Sequence, residues 1–193
     1  MVETARRRQI EDVASGLFRS RGYTATSVRD IARALDLQGG SLYAHVASKE
    51  DVLWAIVGRA ADEFERAADA TDALRPDPRT HLEAIVRSHV RVVTAAVEHA
   101  SVFAYEWRFL SPHRRAEMAA RRDAYEARIR GIIEAGVASG TFRPVDPGLT
   151  ANFLLTGLNG IATWYRPDGR LTPEQIADEY ADLAARALTE DKS

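Results

Sequence analysis

Apolar residues recur at intervals of three and four along most of the chain, which predicts a succession of helices. Ile10, Val13, Ala14, Leu17 and Phe18 form one face of a first helix, which Gly22 closes as C-cap. Val28, Ile31, Ala32 and Leu35 mark a short second helix, and Leu42 faces inward from a short third one running from about Gln38 to His45. Leu53, Ile56, Val57, Ala60 and Phe64 place a longer helix from Glu50 to about Asp72, ended by the stretch Arg75-Pro-Asp-Pro-Arg79. Leu82, Ile85, Val86, His89, Val93 and Val97 are in phase for a helix from His81 to about His99. A short segment, Ser101 to Leu110, follows. Ser111-Pro112 opens a long helix to about Ser139, with Met118, Tyr125, Ile129, Ile132 and Ile133 inside. The connector from Gly140 to Pro147 leads into Leu149 to Tyr165, and a last helix from Pro173 to about Leu188 carries Ile176, Tyr180, Leu183, Ala187 and Leu188 in register. The expected class is all-α with about nine helices. Three helices at residues 1–48 are expected to form one domain and the helices of 49–193 a second.

The stretch from Thr24 to Glu50 organises the rest. Thr26 or Ser27 can cap the second helix, and Ser27-x-x-Asp30 fits the pattern in which side chains satisfy orphan backbone donors. Asp36-Leu37-Gln38 leaves room only for a tight corner, and Ser48-Lys49-Glu50-Asp51 starts a new helix. Two short helices joined by such a corner form the unit whose second helix enters the major groove. Gly39 and Gly40 cost that helix about 1 kcal/mol each against alanine, so they point to close backbone approach to DNA. Gln38 can pair with an adenine edge and Ser41 can reach a base or a phosphate. Tyr43, His45 and Lys49 suit phosphates, as do Thr26 and Ser27 at the helix start. Arg6, in the run Arg6-Arg7-Arg8, can reach phosphate or a minor groove, and the run fits a solvated helix start equally well. The alternative that composition leaves open is a surface helical hairpin whose glycines merely form a loop.

The formal net charge of −2 looks wrong for a DNA binder, but its distribution matters more than its sum. Residues 1–50 hold eight basic and six acidic groups, +2, which leaves −4 for the remainder. The absence of cysteine excludes disulfides and thiolate chemistry. Met1 is followed by VETARRRQIED, with no apolar signal region, so a cytoplasmic location is expected. No glycine-rich phosphate loop and no G-x-S-x-G occurs. His81, His89 and His99 are spaced too widely to share a metal from one helix. Glu117 with Arg121, and Glu126 with Arg130, read as surface ion pairs. Neither an enzyme, nor a metal site, nor a cofactor is expected.

Leu149 to Tyr165 carries no charge, yet Thr150, Asn152, Thr156, Asn159 and Thr163 make it too polar to span a membrane. A helix apolar on most sides is buried on most sides, here against the core and against a second subunit. Gly157 and Gly160 allow close approach, and pairing with the last helix gives a four-helix bundle across a two-fold axis. Aromatic residues exceed what a small helical core needs. Phe103, Trp107, Tyr125, Ile129, Phe153 and Trp164, with Arg108, are the candidates to line an apolar ligand cavity.

The run TSVRDIARALDLQGGSLYAHVASKEDVL resembles the DNA-binding domain of the TetR (tetracycline-repressor) family, matching its pattern at Leu42, Tyr43, His45, Ser48, Lys49 and Glu50. It departs at Asp36, where a turn glycine is usual, at Val46, where phenylalanine is usual, and at Gln38-Gly39, where serine and lysine are common. The resemblance implies a homodimeric transcriptional repressor that binds a palindromic operator in double-stranded DNA and is released by a small hydrophobic effector. The C-terminal TWYRPDGRLTPEQIADEYADL is similar to a subgroup that responds to acyl-CoA thioesters, through Trp164, Tyr165, Pro167, Gly169, Leu171 and Ile176. That similarity implies arginines meeting CoA phosphates, with Arg108, Arg114, Arg115, Arg121 and Arg122 as candidates. The alternative is a helical small-molecule-binding protein without operator function.

Overall fold

A computed structural model of the chain describes residues 5–37, 42, 44–74 and 77–189. Gln38, Gly39, Gly40, Ser41 and Tyr43, expected to read DNA, lie outside the described residues. Among those described there are eight α-helices, one 3₁₀ turn and no strand: α1 Ala5–Arg21, α2 Val28–Ala34, α3 Lys49–Asp72, α4 Pro78–Ala95, α5 Val97–Tyr105, the 3₁₀ turn Trp107–Phe109, α6 Pro112–Ala138, α7 Pro147–Trp164 and α8 Pro173–Leu188. No helix among them is long and apolar enough to cross a membrane.

The compact units do not follow the sequential division expected at residue 48. Residues 1–61 and 97–120 form one, and 62–96 with 121–193 form the other. The physical reason is α5, whose Val97, Ala100, Val102 and Phe103 are buried in the first unit, where it packs on α1.

Caps set most boundaries. Ser27 caps α2 in a full capping box: its hydroxyl accepts from Asp30 N, and Asp30 Oδ2 accepts from Ser27 N at 2.9 Å. Leu37 N donates to Ala32 O at 2.9 Å and Asp36 N to Arg33 O at 3.2 Å, the paired bonds of a Schellman turn. Its left-handed residue is Asp36, at φ 52°, so aspartate stands in the conformation that the family's usual glycine adopts freely. Ser48 Oγ accepts from Asp51 N at 3.0 Å and starts α3.

Two expected elements are corrected. The helix expected from His81 to about His99 breaks at Ala96, at φ −145° and ψ 63°, so His99 belongs to α5 and not to the helix of His81 and His89. Thr94 Oγ1 donates back to Val90 O at 2.8 Å, a bond that bends helices just ahead of that break. In α8 the buried face is Ile176, Ala177, Ala181, Ala184, Ala185 and Leu188, while Leu183 and Ala187 face out. Small alanines let α8 lie close on α4, and the larger Leu183 is left at the surface.

Candidate nucleic-acid interface and effector region

In the first unit Ile10, Ala14 and Phe18 of α1, Ile31 and Ala32 of α2, and Leu42, Val46 and Leu53 are buried together as the small core expected around the reading segment. Val13 and Leu17 are only half-buried; Glu11 and Ser15 take the inner positions instead. Glu11 is 1% exposed and ion-paired with Arg59 of α3 and, at 3.4 Å, with Arg7. His99 lies between Ser15 Oγ at 3.5 Å and Asp12 at 3.4 Å, and burial pushes its imidazole below the ordinary range. Arg19 joins Glu98 at 3.1 Å. Apart from Arg7–Glu11, four positions apart on α1, these polar ties join residues tens of positions apart, and no local spacing predicts them.

Tyr23 is the fixed point ahead of α2. Its ring meets Phe18 edge-on at 5.2 Å and stacks on Phe109 at 5.7 Å, and its backbone N–H donates to Glu106 at 3.1 Å. Burial, then the nearby Glu50 and Asp51 carboxylates, raises its phenol pKa. Lys49 was expected on a phosphate. Its ammonium instead donates to Tyr23 O at 2.8 Å and Thr26 O at 2.9 Å and lies 4.0 Å over the Tyr23 ring, with partial burial lowering its pKa. Thr26, also expected at DNA, is buried, its hydroxyl donating to Gly22 O at 2.9 Å. Ser27 and His45 are exposed beside the reading segment, and Arg6 is half-exposed and bonded to Gln9 at 2.6 Å.

Behind the segment, Ser111 N donates to Glu50 Oε1 at 3.0 Å. Arg114 reaches Asp51 at 2.6 Å and Glu50 at 3.4 Å and sits over Trp54. The Ser111 hydrogen bonds hold the Glu50 carboxyl below its usual range, and Arg114 does the same for Asp51. Residues 106–114 therefore grip both flanks of the reading segment, Tyr23 on one side and the start of α3 on the other.

The residues expected to line one cavity fall into both units. Phe103, half-buried Trp107 and exposed Arg108 belong to the first; Tyr125, Ile129, Phe153 and Trp164 belong to the second. Phe153 is 72% exposed and Trp164 48%, so these two project from α7 away from the core of their unit, whose inner positions Ala151, Leu158, Ile161 and Ala162 occupy. Of the candidate arginines, Arg114 is engaged as above. Arg121 pairs with Glu65 at 2.7 Å and Asp62 at 2.6 Å, two carboxylates that α3 presents to it. Arg130 does pair with Glu126, at 3.3 Å.

The second unit holds two features with ligand chemistry. A crevice of about 260 Å³ is lined by Trp164, Tyr165, Arg166, Arg170, Leu171 and Ile176, so apolar walls meet two arginine residues, of which Arg166 pairs with Asp168 at 3.4 Å. Gly169 shapes the turn beneath it: its N–H donates to Arg166 O at 2.9 Å, and a Cβ there would meet that oxygen at 2.9 Å. Inside the unit, His89 Nδ1 lies 3.0 Å from Tyr125 Oη. Burial pushes His89 down to about 3 and pushes the Tyr125 phenol up. Apolar phase places both inside their helices, and Tyr125 is also one of the candidates for the ligand cavity. No cluster of His, Asp or Glu among the described residues is placed to hold a metal.

Known proteins share this architecture. Residues 10–56 match the family described as bacterial regulatory proteins, tetR family, and residues 75–188 match the tetracyclin repressor-like C-terminal domain. The HTH-type transcriptional repressor KstR2 of Rhodococcus jostii (strain RHA1) is 31% identical over 188 residues, covering 96% of this chain and 92% of KstR2. The structure of the ketosteroid transcriptional regulator KstR2 of Mycobacterium tuberculosis superposes with a TM-score of 0.92 at 25% identity, over 98% of this chain and 97% of that one. The structure of AibR in complex with isovaleryl coenzyme A and operator DNA superposes with a TM-score of 0.82 at 32% identity, over 92% of this chain and 97% of that one. With both halves matched and a relative this similar along nearly its whole length, the chain belongs to the TetR family of bacterial regulatory proteins.

Proposed function

We propose that the protein is a transcriptional repressor that binds a palindromic operator as a homodimer and leaves it when an acyl-CoA thioester binds the second unit. The observation that carries this reading is the capped, Schellman-closed α2 turn, gripped on both flanks by residues 106–114, within a segment that matches the family's DNA-binding domain. Gln38, Gly39, Gly40, Ser41 and Tyr43 are the proposed contacts of the reading helix, with Ser27, His45 and Arg6 beside them. The dimer is proposed through α7 and α8, where Leu149, Phe153, Trp164 and Leu183 are exposed large apolar groups that a two-fold partner would cover. A repressor of this kind works on chromosomal DNA, hence in the cytoplasm.

The acyl-thioester class is supported by the AibR complex and by the crevice, whose Trp164 and Leu171 suit an apolar chain and whose Arg166 and Arg170 suit phosphate. A ligand shifts the repressor only by its differential affinity for the bound and released states. α3 and α6 each supply residues to both units, so a displacement of either would reach Glu50, Asp51 and Arg114 at the flank of the reading segment. The test is a fluorescence-anisotropy titration of duplex fragments from around the protein's own gene against random DNA. One fragment should bind more tightly, Tyr43→Ala should weaken every duplex, and Gln38→Ala should chiefly relax sequence choice. If no fragment outcompetes random DNA, the repressor reading fails.

A further inference from the structure

α1 and α2 end differently, and the difference leaves one backbone donor over. α2 closes in its Schellman turn, in which Leu37 N–H returns to Ala32 O at 2.9 Å. α1 closes on Gly22, at φ 85°, with the single bond from Gly22 N to Phe18 O at 2.9 Å. The next N–H, that of half-buried Tyr23, donates to Glu106 Oε2 at 3.1 Å, 83 positions along the chain, where the corresponding N–H of α2 returns to its own helix. Glu106 is itself held, its N–H on Val102 O at 2.9 Å and its carbonyl accepting from Phe109 N at 3.0 Å, so its carboxylate is presented from between α5 and the 3₁₀ turn. Tyr23 is also where the two ends of the reading segment meet. Lys49, the first residue of α3, donates to Tyr23 O at 2.8 Å and to Thr26 O at 2.9 Å, and Ser27, next to Thr26, caps α2. One residue therefore ties the entry at Ser27 to the exit at Lys49, and Glu106 anchors that residue from well outside the segment. All of these residues lie in the first unit.

We propose that Glu106 is a positioning residue for operator binding: without touching DNA, its carboxylate fixes the Tyr23 backbone and through it the placement of the reading segment. This rests on the operator-binding reading above. Released from Glu106, the Tyr23 N–H loses its acceptor and the loop from Tyr23 to Thr26 gains other arrangements; the operator then binds only the fraction of molecules with the segment in place. Charge predicts the opposite sign. A carboxylate in the unit that binds a polyanion opposes binding, so on electrostatics alone its removal tightens every duplex. Acceptor and charge are separable by substitution. Glutamine offers an oxygen at the same reach without the charge, and leucine offers neither. Random duplex, held through its phosphates rather than by the fit of a helix to base edges, responds to the charge and not to the placement.

The test uses the full-length protein. Wild type, Glu106→Gln and Glu106→Leu are titrated against the duplex fragment from around the protein's own gene that wild type binds most tightly, and against random duplex. Glu106→Leu should bind that fragment up to about fivefold more weakly per protomer, hence up to about twentyfold as a dimer, the size of one ordinary hydrogen bond in each reading segment. Its affinity for random duplex should hold or rise, whereas a protein that is merely destabilised loses both together. Glu106→Gln should stay within about twofold of wild type, or bind more tightly, on both duplexes. Hydrogen exchange at the Tyr23 N–H should be slow in wild type and in Glu106→Gln, which is readable even if the leucine variant fails to fold, and fast in a folded Glu106→Leu that keeps protection at Phe18 and Ile31. A folded Glu106→Leu within about twofold of wild type on the fragment, equal losses on fragment and random duplex, a loss by Glu106→Gln as large as by Glu106→Leu, or a Tyr23 N–H that exchanges freely in wild type would each overturn the proposal. If wild type prefers no fragment over random duplex, the operator reading itself falls; a preference that survives unchanged in Glu106→Leu removes only the role of Glu106.

Discussion

Acid should destabilise this protein through His89 in a measurable way. Its pKa in the folded chain is about 3, against an ordinary 6.5. Above 6.5 the imidazole is neutral in folded and unfolded chains alike, and it adds no pH dependence. Between 6.5 and 3 the unfolded chain binds a proton that the folded chain refuses, so stability falls as pH falls, by about 1.4 kcal/mol per pH unit. Going from about pH 7.5 to about pH 5.0, this works out at about 2 kcal/mol. The figure hardly depends on how far below 5 the folded value lies, because at pH 5 the folded ring is almost wholly neutral either way. His99, also lowered by burial, adds a loss of the same sign, so wild type alone cannot isolate the effect. The comparison with His89→Gln can, since glutamine does not titrate. The assay is urea unfolding at both pH values, with protomer concentration fixed because dimerisation couples to stability. Wild type should lose about 2 kcal/mol more than His89→Gln across the interval. A difference below about 0.5 kcal/mol would mean that the ring is accessible to protons in the folded state, and that the enclosed pair with Tyr125 is wrongly drawn.

Three further outcomes follow from the packing. Arg59→Met leaves the Glu11 carboxylate, 1% exposed, with a weakened set of cations and should cost about 3 kcal/mol in urea unfolding; Glu11→Leu made with it should return most of that, and a cycle with no coupling would refute the pairing. Asp36→Val places a β-branched residue at φ 52° and should destabilise the α2 turn by about 1–2 kcal/mol, whereas Asp36→Gly should not destabilise it comparably; equal effects would argue against the left-handed turn. Phe153→Asp with Leu183→Glu should shift the protein to monomer in sedimentation velocity and abolish operator binding at nanomolar protein, and a dimer that survives both would move the interface elsewhere.

The phase of apolar residues fixed most helices to within a few positions, since a helix must bury one stripe and the stripe is visible in the sequence. It misplaced the break at Ala96, because Val93 and Val97 keep the apolar phase across it. It took Leu183 for core because Leu183 lies in register with Ile176 and Tyr180, and only the close approach of α8 to α4 shows that the alanine face is the inner one. Of the site, the caps at Ser27 and Ser48 were legible, because each is a local exchange of hydrogen bonds within four residues. The grip on Tyr23 by Glu106 and Phe109 was not, since its partners are more than eighty residues away.

The same limit changes what the basic residues near the reading segment are taken to do. A count over residues 1–50 gives eight cations, but many are engaged within the protein: Lys49 on two carbonyls, Arg7 on Glu11, Arg19 on Glu98 and Arg33 on Asp30. Arg21 and Arg29 are exposed on the described surface beside α2, and half-exposed Arg6 at the start of α1 donates to the neutral Gln9 side chain. If two or three cations per protomer reach phosphates, a dimer releases about four to six counterions. The slope of log affinity against log salt should then be about −4 to −5, well short of the about −10 of a strongly basic repressor. Lys49→Gln should leave that slope unchanged while lowering stability, because its charge faces Tyr23 and Thr26 rather than DNA. A slope that falls by about 2 in the dimeric variant would instead place both copies of Lys49 on phosphate and overturn the internal role assigned to it.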